Sequence, residues 1–423
     1  MGESSFVFPN DLHAPWSIMI VLYPYITGLV AGAFVVSALY HVFHQDVLKP
    51  VARLALVTAL CFCAFATTPL LLHLHHPERA FNIMITPSVT SAMAGFGFIY
   101  NFYMLLLAVE VWLVFRPDIV ERANSRTGLV GLFYRVLSLG TREITPGARA
   151  VDEWLIRALA IVGIPAACVL HGYVGFLFGA IKANPWWSTA LMPVVFLVSA
   201  VVSGIAALIV LYLFLCWRRR VAPDADCVRA LSRYLWISLT VAVSLEMLEL
   251  VHMGYESGAE WHILSTLIRE QLAVSYGLVQ LLIGSVGPFV ILLFAIRPRL
   301  NPRMMTFCSG LASVLVLVQV LAMRWNVVVG GQLFSKSFRG FVEYTVPIGG
   351  REGWIAAGVV MTLPLAALFV AGKLLPLWTD CEHATQRADQ PKPDGPLVRH
   401  GTTMTILELH QTSDTIAKEK TIT

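Results

Sequence analysis

Residues 186–217 read "WWSTALMPVVFLVSAVVSGIAALIVLYLFLCW", a run of 32 positions without one charged side chain. A helix needs about 20 apolar residues to cross the ~30 Å hydrocarbon layer of a bilayer. Over the full 423 residues, 57% of the side chains are hydrophobic and 13% are charged, and the mean hydropathy is +0.71. A water-soluble domain of this length needs far more charge to cover its surface. The sequence therefore predicts an integral membrane protein.

Apolar runs of this kind recur along the chain, and none shows the short alternating segments of an outer-membrane barrel. We therefore expect an all-α polytopic membrane protein with about nine transmembrane helices. The first run is long enough to span and no Lys or Arg precedes it, so we do not expect a cleavable signal peptide. The predicted spans are 16–43, 52–73, 91–115, 154–180, 186–217, 229–252, 271–296, 305–329 and 353–377.

These spans divide the chain into a transmembrane domain, 1–377, and a polar tail, 378–423, for which we expect disorder. Within the domain, 16–180 is expected to form a first four-helix bundle, and 186–377 supplies the remaining five helices. The loop 116–153 contains "GLVGLFYRVLSL", and its mixture of arginine and apolar residues is typical of a helix lying at the membrane interface.

The orientation follows from the distribution of lysine and arginine among the loops, because cytoplasmic loops carry the excess. With the N-terminus outside, the cytoplasmic segments hold 23 of the 30 Lys and Arg residues and the outer segments hold 7. This bias predicts an outer N-terminus and a cytoplasmic C-terminus. The same bias accounts for the basic loops, so nucleic-acid binding is a poor interpretation of the net charge of +4.

Metal and haem sites find little support in the sequence. The seven cysteines are scattered, and only Cys61 and Cys63 are close together, at a spacing that indicates apolar packing. A two-haem cytochrome b needs four paired histidines on facing helices, and His41 has no partner of similar depth. We therefore expect no haem or metal in this chain, although a single outer haem between His73 and His171 is left open.

Polar and ionisable residues within the spans are costly, at roughly 2.5–3.5 kcal/mol for a charged side chain on insertion scales, so each is a candidate functional group. With the predicted topology they gather at the outer side of the membrane. Phenol, imidazole and carboxyl groups are suited to bonding a quinone carbonyl and moving its protons. The candidates are His13, Tyr23, Arg79, His171, Tyr173, Glu246, Glu249 and Arg324, with both arginines expected at the border of the outer interface.

Helical geometry limits how these groups can cooperate. His171 and Tyr173 are separated by about 200° around a helix axis, so they cannot face the same pocket. Glu246 and Glu249 are three residues apart and share a face, which favours proton handling by Glu249. Tyrosines near helix ends are often only interfacial anchors, and this alternative applies to Tyr23.

Several stretches resemble the NrfD-type membrane subunits, the family of the polysulfide reductase membrane anchor. "HGYVGFLFGAIKANPWWSTALMPVVFLVSAVVSGIAAL", starting at residue 171, resembles the family's fourth and fifth helices with the Pro-aromatic turn between them. "HHPERAFNIMITPSVTSAM", starting at residue 75, resembles the loop from the second to the third helix. "YITGLVAGAF" and "RWNVVVGGQLFSKS" resemble the first helix and an outer loop of longer members.

The resemblance implies a haem-free subunit of a respiratory oxidoreductase in the bacterial cytoplasmic membrane. It would bind menaquinone or ubiquinone in the first four-helix bundle and exchange electrons with an extracytoplasmic, ferredoxin-like iron–sulfur subunit. That subunit would serve a molybdopterin enzyme or a multihaem cytochrome. Tyr173 matches the family's quinone-contacting tyrosine, and Tyr23 stands where a member uses histidine. We expect His171 to assist Tyr173, with His13 beside Tyr23, Glu249 passing protons and Arg79 at the rim.

Two other interpretations remain open at this point. A secondary transporter would place broken helices and polar sites near the midplane, often in two similar halves. Five prolines interrupt spans, but the polar residues collect at one side and no half-repeat is visible. A purely structural membrane anchor would need no polar layer at all.

Overall fold

Nine helices that are long and apolar enough to cross a membrane lie within the described part of the chain, as the sequence predicts. The computed structural model describes residues 14–88, 90–334 and 340–378. His13 and, apart from its first residue, the predicted tail 378–423 lie outside these ranges. The spanning helices are α1 Ile18–His41, α2 Asp46–His73, α3 Ala92–Ser125, α4 Pro146–Gly179, α5 Met192–Arg219, α6 Ala225–Glu256, α7 Ala273–Ala295, α8 Pro302–Val328 and α9 Trp354–Leu374.

Two of the nine helices are irregular. α2 consists of a 3-10 turn and two α-helical pieces, Lys49–Phe65 and Thr68–His73, with Pro69 in the first turn of the second piece, where a missing N–H is tolerated. α7 is wound as a π-helix over Ala273–Val286 and continues as an α-helix, and such winding is frequent near functional sites. The shorter helices are Pro77–Arg79, Asn82–Ile85, Gly128–Leu137, Ala259–Glu270 and Gly330–Gln332.

The core is built around α1. Of its most apolar stretch 94% is buried, against 22% for α9, because α1 is apolar on all sides and other helices surround it. α1 contacts α2, α4, α5, α8 and α9, while α5 contacts α1, α4, α6 and α8. The two central helices touch backbone to backbone: a Cβ atom at Gly32 would lie 2.7 Å from Gly204 Cα. Small residues therefore permit the close crossing.

The other helices pack in two groups joined by α1 and α5. α2, α3 and α4 surround one side of α1, and α6, α7 and α8 gather beside α5. α9 packs against α2 and α1. The predicted first bundle thus consists of helices that contact one another, with α9 lying on that bundle.

We call the end of the molecule at which α1 begins the N-face. There the Trp16 N–H donates to Gln332 Oε1 at 2.9 Å, and the Trp16 ring stacks on Trp187 at 4.8 Å between centroids. The Ile18 N–H donates to the Tyr344 hydroxyl at 3.0 Å, which satisfies an orphan donor of the first helical turn. Partial burial raises the pKa of Tyr344, so its hydroxyl stays protonated at neutral pH.

The opposite end is tied by ion pairs that join the helices. Arg53 pairs with Asp118 at 3.2 Å, and Arg116 pairs with Asp152 at 2.6 Å. Helix Gly128–Leu137 lies here with apolar side chains such as Leu129 and Val136 exposed, as predicted for an interfacial helix.

Candidate functional site

Three phenols of the first four helices meet near the N-face, and we call Tyr23, Tyr100 and Tyr173 the tyrosine cluster. Tyr23, on the second turn of α1, packs edge to face against Phe96 with centroids 5.4 Å apart. Phe96 in turn stacks on Tyr100 at 6.0 Å. Tyr173 lies against Gly95 of α3, where a Cβ atom would be 2.5 Å from its hydroxyl oxygen. The first turns of α3 therefore lie between the three phenols.

The three hydroxyl groups differ in their hydrogen bonding. Tyr173 donates to the Ala92 carbonyl at 2.9 Å, and Tyr100 donates to the Cys63 carbonyl at 2.6 Å. The Tyr23 side chain is buried, and its hydroxyl has no hydrogen-bond partner among the described residues. Because a buried polar group without a partner is costly, Tyr23 is the phenol that has a donor available for a ligand.

His171 points to the other side of α4, as the angular separation from Tyr173 predicts. It is fully buried, and its Cε1 atom would lie 3.3 Å from a Cβ atom at Gly28 of α1. Its Nε2 atom is 3.2 Å from Arg324 Nη2. A guanidinium group has no acceptor, so Nε2 accepts, and His171 is neutral with its proton on Nδ1. The Nδ1 atom has no hydrogen-bond partner in the described chain.

Arg324 is the largest fully buried side chain of the described residues. Its guanidinium lies over the Phe196 ring at 3.8 Å, and Nη2 donates to Ser199 Oγ at 2.6 Å. Its Nε and Nη1 atoms have no hydrogen-bond partner within the described ranges. The expectation that Arg324 borders the outer interface is therefore wrong, because α5 and α8 enclose it completely.

A carboxylate–amide chain runs across α6, α7 and α8. Gln280 Nε2 donates to Glu246 Oε2 at 3.0 Å, and Asn326 Nδ2 donates to Gln280 Oε1 at 2.7 Å. Ser275 completes the chain by donating to Asn326 Oδ1 at 2.7 Å. The π-helical winding of α7 brings Tyr276, Gln280 and Gly284 to one buried face. Glu246 is 8% exposed, and its Oε1 atom has no hydrogen-bond partner in the part described.

Two cavities adjoin this chain. The narrow cavity, of ≈ 40 Å³, is lined by Glu246, Gln280 and Asn326 together with apolar and aromatic side chains. The wide cavity, of ≈ 460 Å³, lies at the N-face end of α6 and is lined by charged residues that include Glu256 and Glu260. Both are lined by Glu249, Met253, Trp261 and Leu264. Glu249 therefore lies between the surface and Glu246.

The remaining predicted site residues are at the edge of this arrangement or outside it. Arg79 ends the 3-10 turn Pro77–Arg79 and is exposed. His13 lies outside the described residues. His73 Nδ1 is 2.7 Å from Glu352 Oε1, whereas His171 faces Arg324, so these two histidines do not face each other across a haem pocket. No group of three or more His, Cys, Asp or Glu side chains in the described ranges is placed to hold a metal ion.

Sequence reasoning missed several buried polar groups. Gln280 and Asn326 were not selected because they carry no charge, although each interrupts an apolar span. Glu110, on α3, was overlooked within its predicted span, yet it is fully buried, and neither carboxylate oxygen has a hydrogen-bond partner among the described residues. A search for every uncharged amide or acid inside a span would have found all three.

The sequence profile described as "Polysulphide reductase, NrfD" matches residues 8–336, which is most of the chain. The chain belongs to the NrfD family. Family membership and the nine apolar helices make it a multi-pass membrane protein of the bacterial cytoplasmic membrane, and a membrane subunit of the kind found in reductase complexes.

Relatives of this NrfD-family chain carry several names. It is 35% identical over 208 residues to a selenate reductase subunit of Mesobacillus selenatarsenatis, which covers 48% of this chain and 49% of that one. It thus spans about half the length of that relative. A tetrathionate reductase subunit of Salmonella typhimurium is 24% identical over 88% of this chain and 95% of its own length. The Hdr-like menaquinol oxidoreductase integral membrane subunit of Archaeoglobus fulgidus is 21% identical over 77% and 72%.

Proposed function

We propose that this chain is the quinol-oxidising, or quinone-reducing, subunit of a respiratory oxidoreductase complex. The observation that carries the proposal is the buried Tyr23 hydroxyl without a partner among the described residues, close to Phe96 and Tyr100 near the N-face. A hydroxyl donor among aromatic rings fits a quinone, which is a flat, apolar ring with carbonyl acceptors. When bound, a quinol supplies two electrons and two protons.

The residues of the tyrosine cluster then have different roles. Tyr23 donates a hydrogen bond to the ligand, since its proton is not used within the described chain. Tyr100 and Tyr173 are held by the carbonyls of Cys63 and Ala92, so their rings form walls of fixed position. The primary role expected for Tyr173 from the resemblance therefore passes in part to Tyr23.

The other predicted residues act at a greater distance from the ligand. His171 and Arg324 lie across α1 from the cluster, where they fix the packing of α1, α4, α5 and α8 and provide a buried positive charge. Glu249 passes protons beside the wide cavity. His13 and Arg79 are proposed for the rim of the site, on the basis of their sequence positions near the N-face.

The electrons leave to a partner at the N-face, which we propose is a ferredoxin-like iron–sulfur subunit. Three observations support this assignment: the names of the relatives as reductase subunits, the proximity of the cluster to the N-face, and the lysine and arginine bias that places this face outside. Through that subunit the chain would serve a molybdopterin enzyme or a multihaem cytochrome. One relative is named a menaquinol oxidoreductase subunit, so menaquinol is the first quinol to test.

The test is binding of the fluorescent menaquinol analogue heptyl-hydroxyquinoline N-oxide to the purified chain. Tyr23→Phe should weaken binding about tenfold, because one hydrogen bond contributes about 1–1.5 kcal/mol. Tyr173→Phe should weaken it less, since that hydroxyl is already bonded to Ala92. Tyr255→Phe is the matched control, because Tyr255 lies at the N-face end of α6 and is 88% exposed.

Each outcome separates the competing interpretations. Unchanged binding by Tyr23→Phe would move the ligand elsewhere, and a wild-type chain that binds no analogue would favour a structural anchor or a transporter. The midpoint of thermal unfolding should not fall in Tyr23→Phe, because the substitution removes a hydroxyl that has no partner among the described residues. A fall would mean that weaker binding reports damage to the fold.

A further inference from the structure

The buried carboxylate of Glu246 lies at the end of a path from the N-face that shares no lining residue with the tyrosine cluster. The path begins in the wide cavity, where Lys182, His252, Glu256 and Glu260 are among the lining residues. It passes Glu249 and enters the narrow cavity beside Glu246. Charged side chains therefore line the wide, open part of the path, and apolar rings and methionines surround its inner end.

Glu246 is incompletely bonded at the inner end of this path. One carboxylate oxygen accepts from Gln280, and the other is buried without a partner in the described chain. Glu249 Oε1 is also buried without a hydrogen-bond partner among the described residues. The narrow cavity of ≈ 40 Å³ exceeds the roughly 10–15 Å³ that one water requires, and two carboxylates and an amide provide its polar partners. Water in this cavity would join Glu246 to Glu249.

The amide chain fixes Glu246 but cannot replace it as a proton carrier. Gln280 and Asn326 do not titrate, so they hold the carboxylate in one orientation through bonds of 3.0 and 2.7 Å. The titratable or charged groups that face Glu246 are Glu249 on its own helix, Tyr276 on α7 and Arg324 on α8. Only the two glutamates are suited to exchange a proton at ordinary pH.

Arg324 connects this site to the His171 side of the molecule. Its guanidinium bonds His171 and Ser199, makes no ion pair within 4.0 Å in the described chain, and interacts electrostatically with Glu246. A charge on Glu246 therefore stabilises the buried cation, and protonation of Glu246 removes that stabilisation. The charge state of Glu246 is thereby linked to the packing around His171.

We propose that Glu246 is a proton-binding site that exchanges its proton with the N-face through cavity water and Glu249. In the exchange, the O–H bond of the Glu246 carboxyl breaks, its proton passes through water to the Glu249 carboxylate, and Glu249 releases a proton to the N-face solvent. No electron moves in these steps. A role in quinol oxidation rests on the proposed function, whereas proton binding itself needs no quinone.

The first test is a pH titration of the purified chain followed by infrared difference spectroscopy in the carbonyl-stretch region of protonated carboxyl groups. The wild type should show a titrating carboxyl band that is absent in Glu246→Gln and present in Glu260→Gln, the control at the mouth of the wide cavity. An unchanged spectrum in Glu246→Gln would overturn the proposal. Because no quinone is added, this result is independent of the analogue-binding experiment.

The second test keeps the proposal falsifiable if Glu246→Gln folds poorly. A cysteine replacing Glu249 should react with the small charged thiol reagent methanethiosulfonate-ethylammonium at least tenfold faster than one replacing Leu248. Leu248 is the preceding residue along α6, but its side chain is 58% exposed on the apolar surface, where lipid would exclude the reagent. Equal, slow reaction at both positions would show that no water reaches Glu249 and would overturn the path.

Discussion

Two buried carboxyl groups on spanning helices differ in their hydrogen bonding. Glu246 accepts from Gln280, whereas neither oxygen of Glu110 has a hydrogen-bond partner among the described residues. The unfavourable burial of a polar group is offset only when its partners are present. The same residue type in the same kind of helix should therefore contribute to stability with opposite sign.

Replacement of each acid by leucine should reveal this difference. Glu110→Leu removes a group without partners in the described chain and should raise the free energy of unfolding by about 1–3 kcal/mol. Glu246→Leu leaves the Gln280 amide without its acceptor and should lower the free energy by a similar amount. Thermal unfolding in detergent, followed by exposure of the buried cysteines to a thiol-reactive dye, measures both. A loss of stability in Glu110→Leu would indicate that Glu110 has a partner such as bound water.

At the scale of the elements, the crossing of α1 and α5 depends on two glycines. A Cβ atom at Gly204 would collide with the Gly32 backbone, and one at Gly32 would lie 2.9 Å from Gly204 N. The neighbouring atoms are backbone, so they cannot move aside as a flexible side chain can. This crossing lies between the helices that carry Tyr23, His171 and Arg324, and a shift there would disturb both polar sites.

Gly204→Ala should therefore destabilise the protein. Overpacking of a close-packed interior costs about 1–3 kcal/mol, and here the backbones of two central helices would have to separate. Gly358→Ala is the control, because a Cβ atom at Gly358 of α9 meets nothing within 4 Å. We expect a lower unfolding midpoint for Gly204→Ala and an equal or higher one for Gly358→Ala. Similar midpoints in both variants would show that the crossing can relax.

Hydropathy predicts the existence of each spanning helix but not its full length. The third span was predicted to end at residue 115, yet α3 continues to Ser125, and α4 begins at Pro146 rather than at residue 154. The extensions carry Arg116, Asp118 and Asp152, whose charges end an apolar run. In the structure these charges pair between helices, which a linear sequence does not show.

At the scale of the whole molecule, the candidate site was predictable by depth but not by neighbour. The sequence places Tyr23, His171, Tyr173 and Glu249 towards one end, and helical geometry separates His171 from Tyr173. It does not show that α1 divides the tyrosine cluster from the Arg324 side. It also does not show that π-helical winding brings Gln280 to Glu246, because such winding has no simple sequence period.

The orientation of the whole molecule decides where an electron acceptor can dock. The distribution of 23 against 7 basic residues predicts that the N-face is outside. Lys182 is exposed at the N-face, whereas Arg142 is exposed at the opposite end, where its carbonyl accepts from Asn124 at 2.7 Å. Single cysteines at these two positions therefore report on opposite sides of the membrane.

In intact spheroplasts, a membrane-impermeant maleimide should label Lys182→Cys and leave Arg142→Cys unlabelled until the membrane is disrupted. The unsubstituted chain, whose described cysteines are buried or half-buried, provides the background. The reverse pattern would place the tyrosine cluster and the wide cavity on the cytoplasmic side. An iron–sulfur subunit outside the membrane would then be separated from Tyr23 by the thickness of the bilayer, and the proposed electron transfer would require a cytoplasmic partner.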